Sequence, residues 1–260
     1  MLTIARRWTG NYLIVWLLPI AILVAWQLVV QYELIPKRML PMPTAVIEAA
    51  LKLIRSGELF DHLATSAGRA FTGLAIGGGL AFAFGLLTGI FAPIEKTFDS
   101  TLQMIRTVPN LALTPLVILW FGIGDVARIF LISLGVFFPI YLNTFHGVRY
   151  VDRGLVEMGR SYGLSRWGLF QQIILPGALP SVLVGLRYSL GIMWLTLIVA
   201  ETIAATSGIG FMTQSAREFM QTDIMFFAVI LYALLGKLAD VIARTLETRL
   251  LQWHPNYRTA

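Results

Sequence analysis

Arg187, Trp194 and Glu201 recur every seven residues inside one apolar block, so on a helix they share roughly one face with Gly191 and Ile198. The two charges are about 21 Å apart at 1.5 Å per residue, too far to pair within that helix. Charge facing hydrocarbon is costly, so both should face a bundle interior, a cavity or an interface. The Arg187 guanidinium could receive an oxyanion or anchor a neighbouring span. Asn110 and Asn143, with Gln103, Thr114 and Thr196, are the other polar side chains near the same apolar blocks. Each could line a passage or bond between helices.

Other chemistries lack their residues. A phosphate-binding loop ending in Gly-Lys would need a glycine at Leu231 and a hydroxyl at Leu238, so Gly236-Lys237 does not qualify. His62, His146 and His254 lie between or beyond the apolar blocks, which leaves Ser207 in Ala205-Thr206-Ser207-Gly208 without a histidine partner on a span. No paired histidines or acidic cluster offers a metal site, and no cysteine is available for a disulfide, thiolate or cluster. No catalytic residue is expected, and passage is the expected function.

The elements that must position these residues are membrane spans. The 260 residues are 57% hydrophobic and only 13% charged, about half the charged share of a soluble domain. Blocks at 12–30, 71–94, 102–121, 128–145, 179–200 and 225–238 are each predicted to cross a bilayer that needs roughly 20 apolar helical residues. Pro109 and Pro115 should break the third block and Pro139 the fourth. The first block is too long for a signal sequence and lacks a small-residue cleavage site, so an uncleaved anchor is expected.

Six spans put both termini on one side. With the N-terminus inside, the inner segments carry Arg6, Arg7, Lys96, Arg106, Arg149, Arg153, Arg160, Arg166, Lys237, Arg244, Arg249 and Arg258. The outer ones carry Lys37, Arg38, Lys52, Arg55, Arg69, Arg128 and Arg217. The excess favours cytoplasmic termini. Net charge of +6 spread singly between spans fits an anionic membrane face and excludes a nucleic-acid partner.

Between spans, Leu40-Pro41-Met42-Pro43 should be extended, with Thr44 capping a surface helix over 45–55. Gly73-x-x-x-Gly77 and Gly85-x-x-x-Gly89 offer close helix approach. Gly208, Gly210 and Phe211 form a flexible turn and the start of a short helix, a candidate outer gate. The segment 146–178 is the most informative. A helix from about Asp152 should close at Gly163, and Ser165 should cap a second helix over 166–174. Trp167, Phe170, Ile173 and Ile174 would form its apolar stripe before Pro176 stops it. Such a compact unit is shaped to enter a partner's groove.

Glu157, then Gly163, then Ile173, Leu175 and Pro176 resembles the signature loop of permease subunits of binding-protein-dependent ABC importers, with Met158 and Gly159 where that family has alanines. Leu40-Pro41-Met42-Pro43, Ser56-Gly57-Glu58-Leu59, Arg106-Thr107-Val108-Pro109, the run from Leu116 to Gly122 and Ala200-Glu201 resemble the taurine, sulfonate, nitrate and bicarbonate group. Asp152-Arg153-Gly154-Leu155-Val156-Glu157 and the run from Met193 to Glu201 look most like its aliphatic sulfonate permeases.

The resemblance implies an all-α membrane protein with the six-helix type I importer fold in the bacterial inner membrane. It implies an N-terminal anchor and outer segment over 1–70, a permease core over 71–245 and a cytoplasmic tail over 246–260. A second copy, two ATPase subunits holding ATP and Mg, and an extracytoplasmic binding protein are the implied partners. No cofactor is expected on this chain. Glu157, Gly163, Leu164, Ser165, Trp167, Phe170, Ile173, Leu175 and Pro176 would form the ATPase-coupling loop, with Gly163 making the turn and Glu157 orienting it by a charge-assisted hydrogen bond. An ATP-independent channel or secondary transporter would share the composition but has no use for that loop.

Overall fold

The computed structural model describes residues 5–203 and 205–254, with side chains from Leu17 onward, and every regular element among them is a helix. The side chains of Arg6 and Arg7, Arg258, and residues 255–260 of the expected tail lie outside the described residues. The chain forms two compact units, one of Met1–Asp61 with Met212–Leu231 and one of His62–Phe211 with Tyr232–Ala260.

In the first unit, α1 (Ala5–Gln31) carries an almost wholly exposed apolar surface from Leu17 to Leu28, which suits lipid and would be a liability in water. Trp26 Nε1 donates to the Pro41 carbonyl at 2.9 Å, and its ring lies 5.8 Å from that of Phe226. The proline pair then starts α2 (Pro43–Ser56). Met42 is its N-cap, held extended at ψ 142° as the residue before a proline must be. Thr44 therefore sits inside the first turn and caps nothing, contrary to expectation. Val46, Ala49 and Leu53 are buried on one face, and Gly57 closes the helix at φ 81°.

The next helix, α3 (Glu58–Ile90), starts well before the span predicted from residue 71. Glu58 and Asp61 in its first turn complement the helix dipole. Arg69, counted in sequence as an outer-loop charge, lies inside the helix and is only 6% exposed. A wide π turn occupies Leu74–Gly78. The helix stops at Ile90 because Phe91 turns extended and Pro93 sits in the first turn of α4 (Ala92–Arg106). With α5 (Asn110–Phe121), α4 forms a pair bent by 82°. The break falls at Pro109, which is extended; Pro115 lies in the first turn of the α-helical run Thr114–Phe121, where a missing N–H costs nothing.

Helix α6 (Asp125–Arg149) passes through Pro139 unbroken, correcting the predicted interruption. Packed membrane helices tolerate such a proline, and polar side chains bond the carbonyls around it. Asn143 Nδ2 donates to the Pro139 carbonyl at 2.8 Å, and Ser181 and Ser189 donate to the carbonyls of Asn143 and Val136. Gly73, Gly77, Gly85 and Gly89 of α3 face α6. A Cβ at Gly73 would meet Ile132, at Gly77 the Ser133 backbone, at Gly85 Thr144 and at Gly89 Val148. The sequence motif thus builds helix contact.

After α7 (Arg153–Ser161), the single helix α8 (Arg166–Thr202) follows. Pro176 does not stop it. A second π turn at Phe170–Ile174 widens the backbone just ahead of the proline, so the carbonyl that the ring would strike can tip aside. Gly147 on α6 and Gly185 on α8 each press against the other helix, at Ala178 and at Asn143 with Pro139. Finally come α9 (Ile209–Glu218) and α10 (Thr222–Leu250). Among the described residues, α3, α6, α8 and α10 are long and apolar enough to cross a membrane, and the bent α4–α5 pair makes a fifth crossing if it counts as one.

Candidate functional site

The segment after α6 folds as predicted in its local geometry. Asp152 Oδ1 accepts from the Gly154 N–H at 2.7 Å and caps α7. Gly163, at φ 80°, ends it. Its N–H donates to the Arg160 carbonyl at 2.9 Å and the Leu164 N–H to the Gly159 carbonyl at 3.0 Å, the paired bonds that satisfy a helix terminus through a left-handed residue. Ser165 Oγ then accepts from the Gly168 N–H at 3.1 Å and starts α8. Two helices are thereby set at a fixed turn by two caps and one glycine.

The side chains divide differently from the predicted stripe. Ile173 lies against Gly159, where even a methyl group would meet the ends of Ile173 and Leu169. Trp167 points outward at 65% exposure and stacks on half-buried Phe170 at 5.3 Å. Leu164, Leu175 and Pro176 are half-buried, while Met158 and Tyr162 are exposed. Glu157 is exposed; its backbone carbonyl accepts from Ser161, and its carboxylate makes no bond among the described residues. The expected orienting bond is therefore not made among the described residues.

The seven-residue series on α8 does not act as one face. A helix of 3.6 residues per turn rotates a heptad series by about 20° per step. Trp194 and Glu201 have turned into the protein, while Gly191 is exposed and Arg187 sits between. Arg187 bonds Asp240 of α10 through Nε at 2.9 Å and through Nη2, and Glu247 lies 3.7 Å from Nη1. The exposed stripe on α8 is Tyr188, Gly191 and Leu195. Asn110 opens the tight turn after Pro109 and is half-buried, and Asn143 bonds its own helix.

Glu201, 1% exposed, is the centre of a buried knot. Its carboxylate accepts from Ser66 Oγ at 2.7 and 2.9 Å, from Arg69 Nη1 at 2.8 Å and from the Gly210 N–H at 3.0 Å. Arg69 also meets Asp125 at 2.8 Å and donates to the Ser207 carbonyl at 2.7 Å. Asp125 in turn takes Arg128 at 2.9 Å. Ser66 Oγ accepts from the Ile209 N–H at 2.8 Å, and His62 Nδ1 from the Gly208 N–H at 3.1 Å. The Phe211 ring lies 5.9 Å from that of His62. Gly208 takes φ 108°, and a Cβ there would strike the Glu201 carboxylate.

A buried carboxylate is tolerable with this many donors and a guanidinium. The arrangement makes Glu201 a fastener for the turn at Gly208 and Gly210. Sequence reasoning missed Ser66, Arg69, Asp125 and Asp240. The one available signal was the rule that charges inside apolar blocks seek partners, which names no partner across more than a hundred residues.

The family model for the inner membrane component of binding-protein-dependent transport systems matches residues 73–252. The chain belongs to that family. As such a component it is a multi-pass membrane protein. The Escherichia coli K12 protein SsuC, named as an aliphatic sulfonates transport permease, is 55% identical over 242 residues, covering 93% of this chain and 92% of that protein. SsuC of Bacillus subtilis 168 is 45% identical, covering 93% and 87%. The taurine transport system permease TauC of E. coli K12 is 37% identical, covering 90% and 86%.

Among solved structures, an amino acid ABC transporter aligns with TM-score 0.57 at 18% identity over 75% of this chain and 98% of its own. The inward-facing MetNI methionine transporter aligns with TM-score 0.54 at 19% identity, over 79% and 98%. These likenesses place the inner membrane component in the ABC importer permease fold.

Proposed function

We propose that this chain is the membrane-spanning permease of an ATP-driven importer for aliphatic sulfonates. It works as a homodimer with two ATPase subunits inside, where ATP and Mg are held, and a substrate-binding protein outside. The 55% identity to SsuC across nearly the whole chain carries the substrate class. The two capped helices around Gly163 support the coupling role.

Six crossings follow if α1 and the bent α4–α5 pair each count as one, with both termini cytoplasmic. The knot supports that orientation. Arg69 and Arg128 lie buried within the long helices α3 and α6, so they leave the count of outer-loop basic residues, and the inner excess grows. In this topology the exposed Trp167, Met158 and Tyr162 meet the ATPase, and Glu157 finds its partner there. The Ser207–Phe211 turn lies at the outer mouth beside the binding protein.

Valine at Gly163 tests the coupling. A β-branched residue at φ 80° is a steric outlier, yet a Cβ there meets nothing within 4 Å, so the strain stays local. Gly163→Val should leave the spans folded while cutting sulfonate uptake and binding-protein-stimulated ATP hydrolysis by about tenfold or more, for a strain of ~1–3 kcal/mol. Normal transport by an assembled Gly163→Val complex would remove the lever role. Growth on individual alkanesulfonates as sole sulfur source, with and without this chain, tests the substrate, with taurine as the parallel arm.

A further inference from the structure

Five charged side chains gather between α8 and α10. Besides Arg187, Lys237 Nζ lies 3.6 Å and Arg244 Nε 3.1 Å from Oδ2 of the same Asp240. Glu247 is the fifth member, 3.7 Å from Arg187. Three cations thus face two carboxylates, and the cluster is one negative charge short of balance. Lys237 and Arg244 have most of their side chains in the open, but Arg187 is 35% exposed and lies deeper along α8.

Beside Arg187 is a cavity of about 550 Å3 lined by Val184, Arg187, Tyr188, Gly191, Gly236 and Asp240, within the size range of small-molecule sites. Its walls are of two kinds. Arg187, Tyr188 and Asp240 are polar, and Tyr188 makes no side-chain hydrogen bond among the described residues. Val184, Gly191 and Gly236 are apolar. These two glycines differ from Gly185, which is pressed onto α6. A Cβ at Gly191 or Gly236 meets nothing within 4 Å, so their missing side chains keep space open and serve no helix contact.

We infer that this cavity is a binding station for an alkanesulfonate inside the permease, with Arg187 taking the sulfonate and the Val184, Gly191 and Gly236 wall taking the alkyl chain. The inference rests on the sulfonate reading above and adds a site to it. A monoanion supplies the charge the cluster lacks. The guanidinium keeps N–H groups beyond those spent on Asp240, and the Tyr188 hydroxyl is a second donor. Taurine, whose chain ends in an ammonium group, fits the apolar wall poorly.

The test uses the full complex in vesicles with its ATPase and binding protein. Gly191→Leu and Gly236→Val add side chains to the cavity wall, each from a Cβ that meets nothing within 4 Å. Each should lower octanesulfonate uptake about tenfold or more while methanesulfonate uptake stays within about twofold, the scale of steric discrimination in an apolar pocket. The double variant Arg187→Gln with Asp240→Asn removes the bonded pair together; it should lose uptake of both sulfonates.

An unchanged chain-length profile in both glycine variants overturns the station. So does wild-type uptake by the double variant. If the double variant does not assemble, the glycine profile alone decides. A wild-type complex that imports no alkanesulfonate overturns the substrate reading instead.

Discussion

Alanine at Glu201 should destabilise the protein by about 3–5 kcal/mol, the range for breaking a buried ion pair, with Arg69 left only its half-exposed partner Asp125. Arg69 is 6% exposed and Glu201 has no exposed side-chain surface, so water cannot replace what is removed. The loss also strands the Ser66 hydroxyl and the Gly210 N–H, both of which donate to that carboxylate. Glu201→Gln should fall between, because it retains an acceptor for Ser66 while losing the charge opposite Arg69. Arg69→Met together with Glu201→Leu should recover part of the loss, since neither charge is then left alone. Unfolding midpoints in detergent micelles provide the measurement. A Glu201→Ala protein of wild-type stability that no longer transports would return Glu201 to the translocation pathway and defeat the fastener role.

Valine at Gly77 should be of comparable severity for a different reason. The added Cβ would land on the backbone of Ser133, including its carbonyl oxygen and Cα. Backbone inside a packed helix cannot swing away as a side-chain end can, so α3 and α6 must separate. Separation breaks the Ser133 hydroxyl bond to the Gly73 carbonyl, 3.1 Å, and uncouples the neighbouring contacts at Gly73 and Gly85. A loss of about 3 kcal/mol or more is expected, in the range for overpacking combined with lost contacts. Gly79→Ala is the control. Its Cβ meets nothing within 4 Å, and alanine should gain roughly 0.5–1 kcal/mol from helix propensity. If Gly77→Val and Gly79→Ala unfold at the same temperature in micelles, the close approach is not what holds this helix pair.

Local signals in the sequence were good guides where one or two residues decide the backbone. Gly163, Ser165 and Asp152 set their caps because each needs only its own side chain, or the lack of one, and the next few amides. Proline was a poorer guide. Pro139 and Pro176 were expected to interrupt helices that continue through them, the first packed against Gly185 of α8 and the second preceded by a π turn. The end of the charged loop was misjudged at Arg69, where a basic residue suggested water but a carboxylate 132 positions away had claimed it. The stripe on α8 failed for a geometric reason. A spacing of seven is close to two turns but not equal to it, and over two steps the drift moved Glu201 into the core and left Tyr188 and Gly191 at the surface.

The π turn at Leu74–Gly78 ties the length of α3 to both of its ends. Small residues follow one another by fours at Gly73, Gly77, Ala81, Gly85 and Gly89, and on a regular helix that spacing would wind by about 160° over the series. One surplus residue in the wide turn takes up roughly 100° of it, which keeps Gly85 and Gly89 on α6 while Ser66 and Arg69 reach Glu201. Deleting any one residue from this bland apolar stretch would restore a regular helix. It would leave Arg69 and the glycines below in the same relative rotation, because the wide turn already absorbs that one residue. Descendants of this chain can therefore lose one letter between Leu74 and Gly78 without turning the two ends against each other, whereas gaining one would swing them by about 100°.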